Sequence, residues 1–296
     1  MASIHQVVPI YNGIRCHAWN ADQSMLAICP NNNEIHIYGN CNSKDTSSWK
    51  LLHVLSEHDM EINQVDWCPS SHRLLTCSSD RNAFVWTPPS AGGSGGDSWK
   101  PALAMLHTDR AALCCRWSPC GKKFAVGSSA RAVNVGYHEA EHDWWVTKLL
   151  RKHRSSVVGV DWCPGTNSQV LATASTDFRA RICSVHMEGV DQGPPHPPPG
   201  FTNPLPFGEI YAEFSCSTWV TAVSWSPSGL HLAYSGQDST VHVVGLGPSV
   251  TGGAALQCVV RLKGLPLRTL AFASDTCLLG AGHDSATSTG GVGGGP

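Results

Sequence analysis

The 296-residue sequence predicts an all-β protein built as a propeller of repeated four-stranded units. Three observations carry that expectation. Aromatic residues that close apolar strands recur at Trp19, Trp67, Trp117, Trp162, Trp225 and Phe272, at intervals of 48, 50, 45, 63 and 47 residues. Each is followed by a Ser/Pro/Gly/Asn turn such as "SPCG" or "SPSG" and then by a strand of small residues. The segments between strands show no helical period, which removes the (β/α)8 barrel. A repeat of about 45 residues must be read before any other motif.

The units follow one another in order. The first is "HAWNADQSMLAICPNNNEIHIY" (17–38), an apolar-ended strand, a turn and two short strands, with "WKLLHVL" (49–55) as the fourth. The second runs from Asn63 to Trp86 and the third from Cys114 to Tyr137, with fourth strands "WKPALAML" (99–106) and "WWVTKLL" (144–150). The next units cover Val158–Val185, Thr221–Val244 and Arg268–Ala286. One such blade cannot bury both of its faces. Blades set around an axis bury them against each other and leave only short edges.

Composition bounds the function. A net charge of −2, without an acidic or basic block, gives no polyanion-binding stripe, so no nucleic-acid partner is expected. No apolar run approaches the ~20 residues of a membrane span. The 13 cysteines form no C-x-x-C pair; Cys68, Cys114, Cys115 and Cys163 sit in apolar runs and read as small hydrophobes in a reducing interior, cytoplasm or nucleus. His138 and His142 flank "EAE" without a third ligand, "GSSARAV" and "SGQDS" are turns without a Walker lysine, and "AGGSGG" (91–96) is a flexible blade loop. No cofactor, metal or catalytic constellation follows, and the chain reads as a non-enzyme.

The second unit carries His58, Ser78, Asp80 and Trp86, and so resembles the WD40 repeat. In that family four such positions form a buried hydrogen-bonded network. Here the expected arrangement is a His held between the Ser78 hydroxyl and the Asp80 carboxylate, with the Trp86 indole donating to Ser78. The fourth unit keeps His153, Ser175 and Asp177 but has Cys183 at the Trp position; the fifth keeps Asp238; the third has Ala130 for the turn Asp. The trio is structural, since a catalytic triad needs an oxyanion partner that is missing.

Two regions break the pattern. The 63-residue interval holds seven prolines between Pro194 and Pro206. This loop, 187–208, is either a tolerated surface insertion or a docking loop with Phe201, Leu205 and Phe207 as exposed anchors. The last unit runs into "SATSTGGVGGGP" (285–296), read as a disordered Gly-rich tail because five of its last seven residues are glycine. The expected architecture is therefore a propeller over 1–284 with five full blades and part of a sixth, read as a truncated or alternative product rather than as a smaller ring. "IHQVVPI" (4–10) reads as a strand for a last blade.

Arg15, Arg110, Arg154 and Arg268 all fall four to eight residues before an aromatic anchor, which puts them toward one turn-rich face. That ring suits an acidic partner surface, against ordinary solvation as the plain alternative. In "HDWW", neighbouring Trp144 and Trp145 face opposite ways on a strand, so one of them is exposed, unless both are semi-buried at the blade edge.

The strings "SIHQVV" (3–8), "GIRCHAWN" (13–20), "LAICPNNNEIHIY" (26–38), "TCSSDRNAFVW" (76–86), "SWKP" (98–101), "RAALCCRWSP" (110–119), "KKFAVGSSAR" (122–131), "HDWW" (142–145), "PFGEI" (206–210) and "GAGHD" (280–284) resemble the subunit 1 family of the actin-related protein 2/3 complex. The resemblance covers about residues 3 to 284 and includes blade loops outside the WD40 network. It implies a seven-bladed, non-catalytic subunit that packs with actin-related proteins 2 and 3 and scaffold subunits 4 and 5. It further implies work at actin filaments in the cytoplasm, with reception of the acidic tails of WASP-type activators. The family pattern continues past "AGHD" with the rest of blade six, an inserted segment with a short helix, and blade seven. The alternative is a generic WD40 adaptor, which would not share those loop strings.

Overall fold

The computed structural model describes residues 11, 13–43, 45–89, 98–247, 256–283 and 288–291. The proposed N-terminal strand (4–10), the "AGGSGG" loop and the ends of the Gly-rich tail lie outside the described residues.

Blade 1 is β1 (Cys16–Trp19), β2 (Met25–Cys29), β3 (Ile35–Gly39) and β4 (Lys50–Leu55), paired in that order. Blade 2 is β5 (Ile62–Trp67), β6 (Leu74–Ser78), β7 (Ala83–Thr87) and β8 (Lys100–Ala104). Blade 3 is β9 (Ala112–Trp117), β10 (Lys123–Ser128), β11 (Val133–Glu139) and β12 (Trp144–Leu150). Blade 4 is β13 (Val157–Trp162), β14 (Val170–Ser175), β15 (Arg179–Ser184) and β16 (Ile210–Ser215). Blade 5 is β17 (Val220–Trp225), β18 (His231–Gly236), β19 (Thr240–Gly245) and β20 (Leu256–Arg261). Blade 6 is β21 (Leu267–Ser274), β22 (Cys277–Gly282) and β23 (Ser288–Gly291). All pairs within blades are antiparallel; one parallel bridge, Trp145 opposite Ala104, joins the outer strands of blades 2 and 3. This is a partial WD40 β-propeller.

The Gly-rich tail departs from expectation. Residues 288–291 pair with β22, Ser288 opposite Gly280 and Gly291 opposite Cys277. An edge strand needs only backbone N–H and C=O groups, so glycines can extend a sheet without a packed face.

The first strands β1, β5, β9, β13, β17 and β21 touch in sequence. Each anchor turns back onto the preceding blade. Trp67 joins Ala18, Ala27 and Ile35 of blade 1; Trp117 joins Leu75 and Val85 of blade 2; Trp162 joins Ala125 and Val135 of blade 3; and Trp225 joins Val170 and Ile182 of blade 4. These four anchors are 3–4% exposed, whereas Trp19, with no described blade before it, is 40% exposed and leans edge-on against Trp49 at 5.9 Å. The core is thus a series of inter-blade wedges. Aromatic anchors dominate these wedges because they carry the largest buried area per side chain.

A second tie runs along the innermost strands. In blades 2 to 5 the residue before the anchor reaches the next blade's anchor. Asp66 accepts from the Trp117 N–H at 2.6 Å, Asp161 from Trp225 N–H at 2.7 Å, and Ser224 from Phe272 N–H at 3.3 Å. Arg116 completes the belt: its carbonyl accepts from the Trp162 indole at 3.2 Å and its guanidinium lies 3.4 Å from Asp161. Burial pushes the Asp66 carboxyl up to about 6, with Arg116 opposing the shift. Burial raises Asp161 as well, again against the pull of Arg116.

Candidate functional site

The turns between second and third strands and the connections into each first strand share one end of the blades. His58, ahead of β5, meets Asp80, in the β6–β7 turn, at 2.7 Å. These turns need a left-handed residue, and Arg81, Arg131, Phe178 and Ser239 supply it with φ of 75°, 62°, 69° and 61°. Their side chains stand at this rim. Arg15, Arg110, Arg154 and Arg268 are exposed at the same end, before or at the start of a first strand. Arg15 donates to Asn63 of blade 2 at 2.8 Å. The Arg154 backbone N–H is held by Asp177 at 2.8 Å.

Beneath this rim lies the blade 2 network, and its hydroxyl is not the one expected. Thr76, not Ser78, sits between the rings: His58 Nε2 is 2.8 Å from Thr76 Oγ1, and the Trp86 indole N–H donates to the same oxygen at 3.0 Å. The chain is directional. Trp86 donates to Thr76, Thr76 donates to Nε2 of a neutral His58, and His58 Nδ1–H donates to Asp80. Burial lowers the His58 pKa, with Asp80 opposing. Ser78 does different work. Its hydroxyl donates to the Met60 and Glu61 carbonyls at 3.0 and 2.9 Å and accepts from the Asp80 N–H at 3.1 Å. It shapes the turn; the network hydroxyl lies two residues earlier because strand faces repeat every second residue.

Blade 4 repeats the correction. Thr173, not Ser175, meets His153, at 2.9 Å, while Ser175 donates to Ser156 O at 2.9 Å and accepts from Asp177 N–H at 3.3 Å. Asp177 does not reach His153 either. Arg181, 3% exposed, takes both of its oxygens at 3.0 and 2.8 Å and also bonds Glu213 at 2.7 Å. His153 Nδ1 is left buried without a partner. Burial, with the Arg181 charge, pushes the His153 pKa down to about 4. In blade 5 Asp238 serves its own turn, accepting from Ser217 and Thr240 hydroxyls at 2.5 Å each.

The other expected contact residues divide. Trp144 is 44% exposed, tilted against His142 at 5.0 Å, and its indole donates to Glu139. Trp145 is 4% exposed between Trp117 and Phe124, at 5.5 and 5.6 Å, so it is a core residue. Phe201 and Phe207 are half-buried: Phe201 meets Tyr211 edge-on at 5.5 Å, and Phe207 lies under the Lys148 ammonium at 4.5 Å. Both rings pack against the protein's own core rather than projecting as anchors.

The proline-rich loop is a strap across the opposite end of three blades. Asp191 accepts from Lys123 of blade 3 at 2.7 Å; both side chains are at most 5% exposed. Lys123 also donates to the Val185 carbonyl at 3.1 Å. His196 N–H donates to Gln169 of blade 4 at 2.5 Å. Gly200, at φ 84°, approaches blade 5 so closely that a Cβ there would lie 2.5 Å from the Leu246 carbonyl oxygen. Prolines fix the extended path between these attachment points.

Sequence reasoning missed Thr76, Thr173, Arg181, Lys123 and the Asp66–Arg116–Asp161 belt. The signal for the belt was present as the residue before each anchor in "VDW", "CRW", "VDW" and "VSW". Among the described residues no group of three or more His, Cys, Asp or Glu side chains has metal-holding geometry, and no helix is long and apolar enough to cross a membrane.

Comparison with known proteins adds to this geometry. The family model for the WD domain, G-beta repeat, matches residues 49–87 and 208–244. The chain is 42% identical over 288 residues to actin-related protein 2/3 complex subunit 1A-B of Xenopus laevis, covering 95% of this chain and 72% of that protein. It is 43% identical to subunit 1A of Arabidopsis thaliana over 92% of this chain and 68% of the relative. It is 38% identical to subunit 1 of Schizosaccharomyces pombe over 90% and 68%.

Proposed function

The chain belongs to the subunit 1 family of the actin-related protein 2/3 complex, and from that premise we propose that it works as a non-catalytic scaffold subunit of that complex in the cytoplasmic actin cytoskeleton. One observation carries the reading: the identity to subunit 1 proteins of frog, plant and fission yeast runs through at least 90% of the chain, far beyond the two matched WD repeats. A propeller of rigid blades offers wide faces rather than a reaction centre, which suits a scaffold.

The finer reading is that the subunit contacts actin-related proteins 2 and 3 and scaffold subunits 4 and 5, supports branching from actin filaments, and receives acidic tails of WASP-type activators. The exposed Arg15, Arg110, Arg154 and Arg268 at one rim support the last point, since guanidinium forks match carboxylates. Exposed Trp144 supplies a further contact at the outer edge of blade 3.

The test is affinity purification of the tagged 296-residue chain from cells, with subunit composition read by mass spectrometry. Recovery of both actin-related proteins and the scaffold subunits in fixed ratio is expected. Recovery of chaperones alone would refute the scaffold role for this chain.

A further inference from the structure

Blade 4 differs from blade 2 in the wedge against the preceding blade. In blade 2 the third strand puts Phe84 and Trp86 there; the Phe84 ring lies 4.9 Å from His58, and Leu103 stands opposite Phe84. Register places Arg181 and Cys183 at the matching positions of blade 4, with Glu213 opposite Arg181. Charge thus replaces an aromatic filling. A cavity of about 530 Å³ opens there, lined by Lys152, Arg154, Asp177, Phe178, Arg179, Arg181 and Glu213 among others. Charged walls do not collapse together as apolar ones do, because each ion must keep a partner or water.

The cations are held for use. Asp177 and Glu213 fix Arg181 from two sides at 2.8 and 2.7 Å. Arg179 donates to Ser215 at 2.5 Å and stands 3.4 Å from Glu213. Lys152 has only an exposed pairing with Glu209 at 3.0 Å, a kind of contact that competes poorly with a strong ligand. Among the described residues no carboxylate pairs with the Arg154 guanidinium. Four cations therefore face three carboxylates, and the least committed of the four line one groove. Planar guanidinium forks bind phosphate in two-point fashion. At the rim Phe178, 46% exposed and at φ 69°, presents an apolar ring beside them.

We infer that the groove formed by blade 4 and the connection that enters it from blade 3 binds a compact ligand carrying several phosphate groups, with Arg154 and Arg179 as direct forks and Lys152 as a point charge. Arg181, pinned by Asp177 and Glu213, offsets those two carboxylates in the floor. Phe178 covers the carbon face of the ligand. The cavity volume is that of a small-molecule site, and confinement favours a compact polyanion over an extended acidic chain. The inference does not depend on membership of any complex.

The probe is inositol 1,4,5-trisphosphate, titrated calorimetrically into the full chain in 0.1 M salt, with citrate as a compact carboxylate polyanion for comparison. Saturable one-to-one binding is expected, at least tenfold tighter than citrate. The double variant Arg154→Gln/Arg179→Gln should lose at least tenfold, while Lys50→Gln, exposed on β4 of blade 1 outside the groove, should bind as the parent does. Arg154 is exposed and Arg179 half-buried, so an unchanged unfolding temperature confirms that the double variant folds. Co-sedimentation with phosphatidylcholine vesicles, with and without phosphatidylinositol 4,5-bisphosphate, identifies the source. Phosphoinositide-dependent pelleting points to a lipid headgroup, and trisphosphate binding without pelleting points to a soluble ligand. The inference fails if the trisphosphate does not saturate, if citrate matches it, or if the double variant binds unchanged.

Discussion

Replacing Thr76 by valine removes one hydroxyl and strands two buried nitrogens. Valine keeps the volume and branching, so packing is preserved and the change isolates hydrogen bonding. Thr76 is fully buried, and Trp86 and His58 are each 2% exposed. The Trp86 indole loses its acceptor at 3.0 Å and His58 Nε2 loses its donor at 2.8 Å. A buried polar group left without a partner costs about 1–3 kcal/mol. Two such groups give about 2–6 kcal/mol for Thr76→Val. Thr173→Val strands only His153 Nε2, because Cys183 stands where the indole would be, and should cost about 1–3 kcal/mol, half of the Thr76→Val effect. Urea titration of both variants at unchanged m-value measures the difference. Thermal scans give a second reading at about 2–4 °C for each kcal/mol. If Thr76→Val costs no more than Thr173→Val, or less than Ser78→Ala, Thr76 is not the hub of the network and the directional chain described above is wrong.

Three further outcomes follow from the same structure. The low folded-state pKa of His153, about 4 against an ordinary 6.5, means the unfolded chain binds the extra proton first; stability is full above pH 6.5 and falls by roughly 3 kcal/mol toward pH 4. Asp66, raised to about 6 from 3.8, acts with the opposite sign and loses stability as pH rises through that window. Asp66→Asn, which keeps an acceptor for the Trp117 N–H, should therefore steepen the acid-side loss in denaturation curves taken from pH 4 to 7; an unchanged slope would refute the assignment. Lys123→Met takes the ammonium from the buried Asp191 carboxylate, leaving it the Met187 N–H at 2.7 Å and His186 at 3.5 Å, and should cost about 3 kcal/mol, with faster proteolysis between Gln192 and Pro204 as the local readout. Trp145→Ala should cost about 3–5 kcal/mol and Trp144→Ala within about 0.5 kcal/mol, measured by chemical denaturation.

The repeat was legible because its physics is local. An aromatic that fills a wedge, a turn and a strand of small residues recur in every unit, and Trp67, Trp117, Trp162 and Trp225 occupy the same place in successive blades. The Asp turns were legible for the same reason: Asp80 caps its own turn by accepting from the Asn82 N–H at 2.8 Å. What was hidden depends on which face a side chain takes and on what the next blade brings. Ser78 and Thr76 share a face, so sequence alone does not say which one meets His58. Asp177 looked like a partner for His153 until Arg181, on the neighbouring strand, claimed both of its oxygens. Phe201 and Phe207 looked like anchors for a partner because nothing in "PPHPPPGFTNPLPF" shows the chain folding back on its own blades. The four-residue strand at 288–291 was unreadable because backbone pairing leaves no mark on side-chain pattern.

A propeller of similar blades would, by its connectivity, be a line of nearest-neighbour units, each free to open at its own wedge. The strap over 187–208 changes that order. Its ends belong to blade 4, yet it is fastened to Lys123 of blade 3 and pressed against Leu246 of blade 5. Opening either wedge that borders blade 4 must therefore also peel the strap. Blades 3 to 5 should behave as one cooperative block, with amide exchange at β10, β14 and β18 sharing a common opening free energy, while blades 1 and 6 exchange at rates of their own. Releasing both fastenings, Asp191 from Lys123 and Gly200 from Leu246, would return blades 3 to 5 to independent opening.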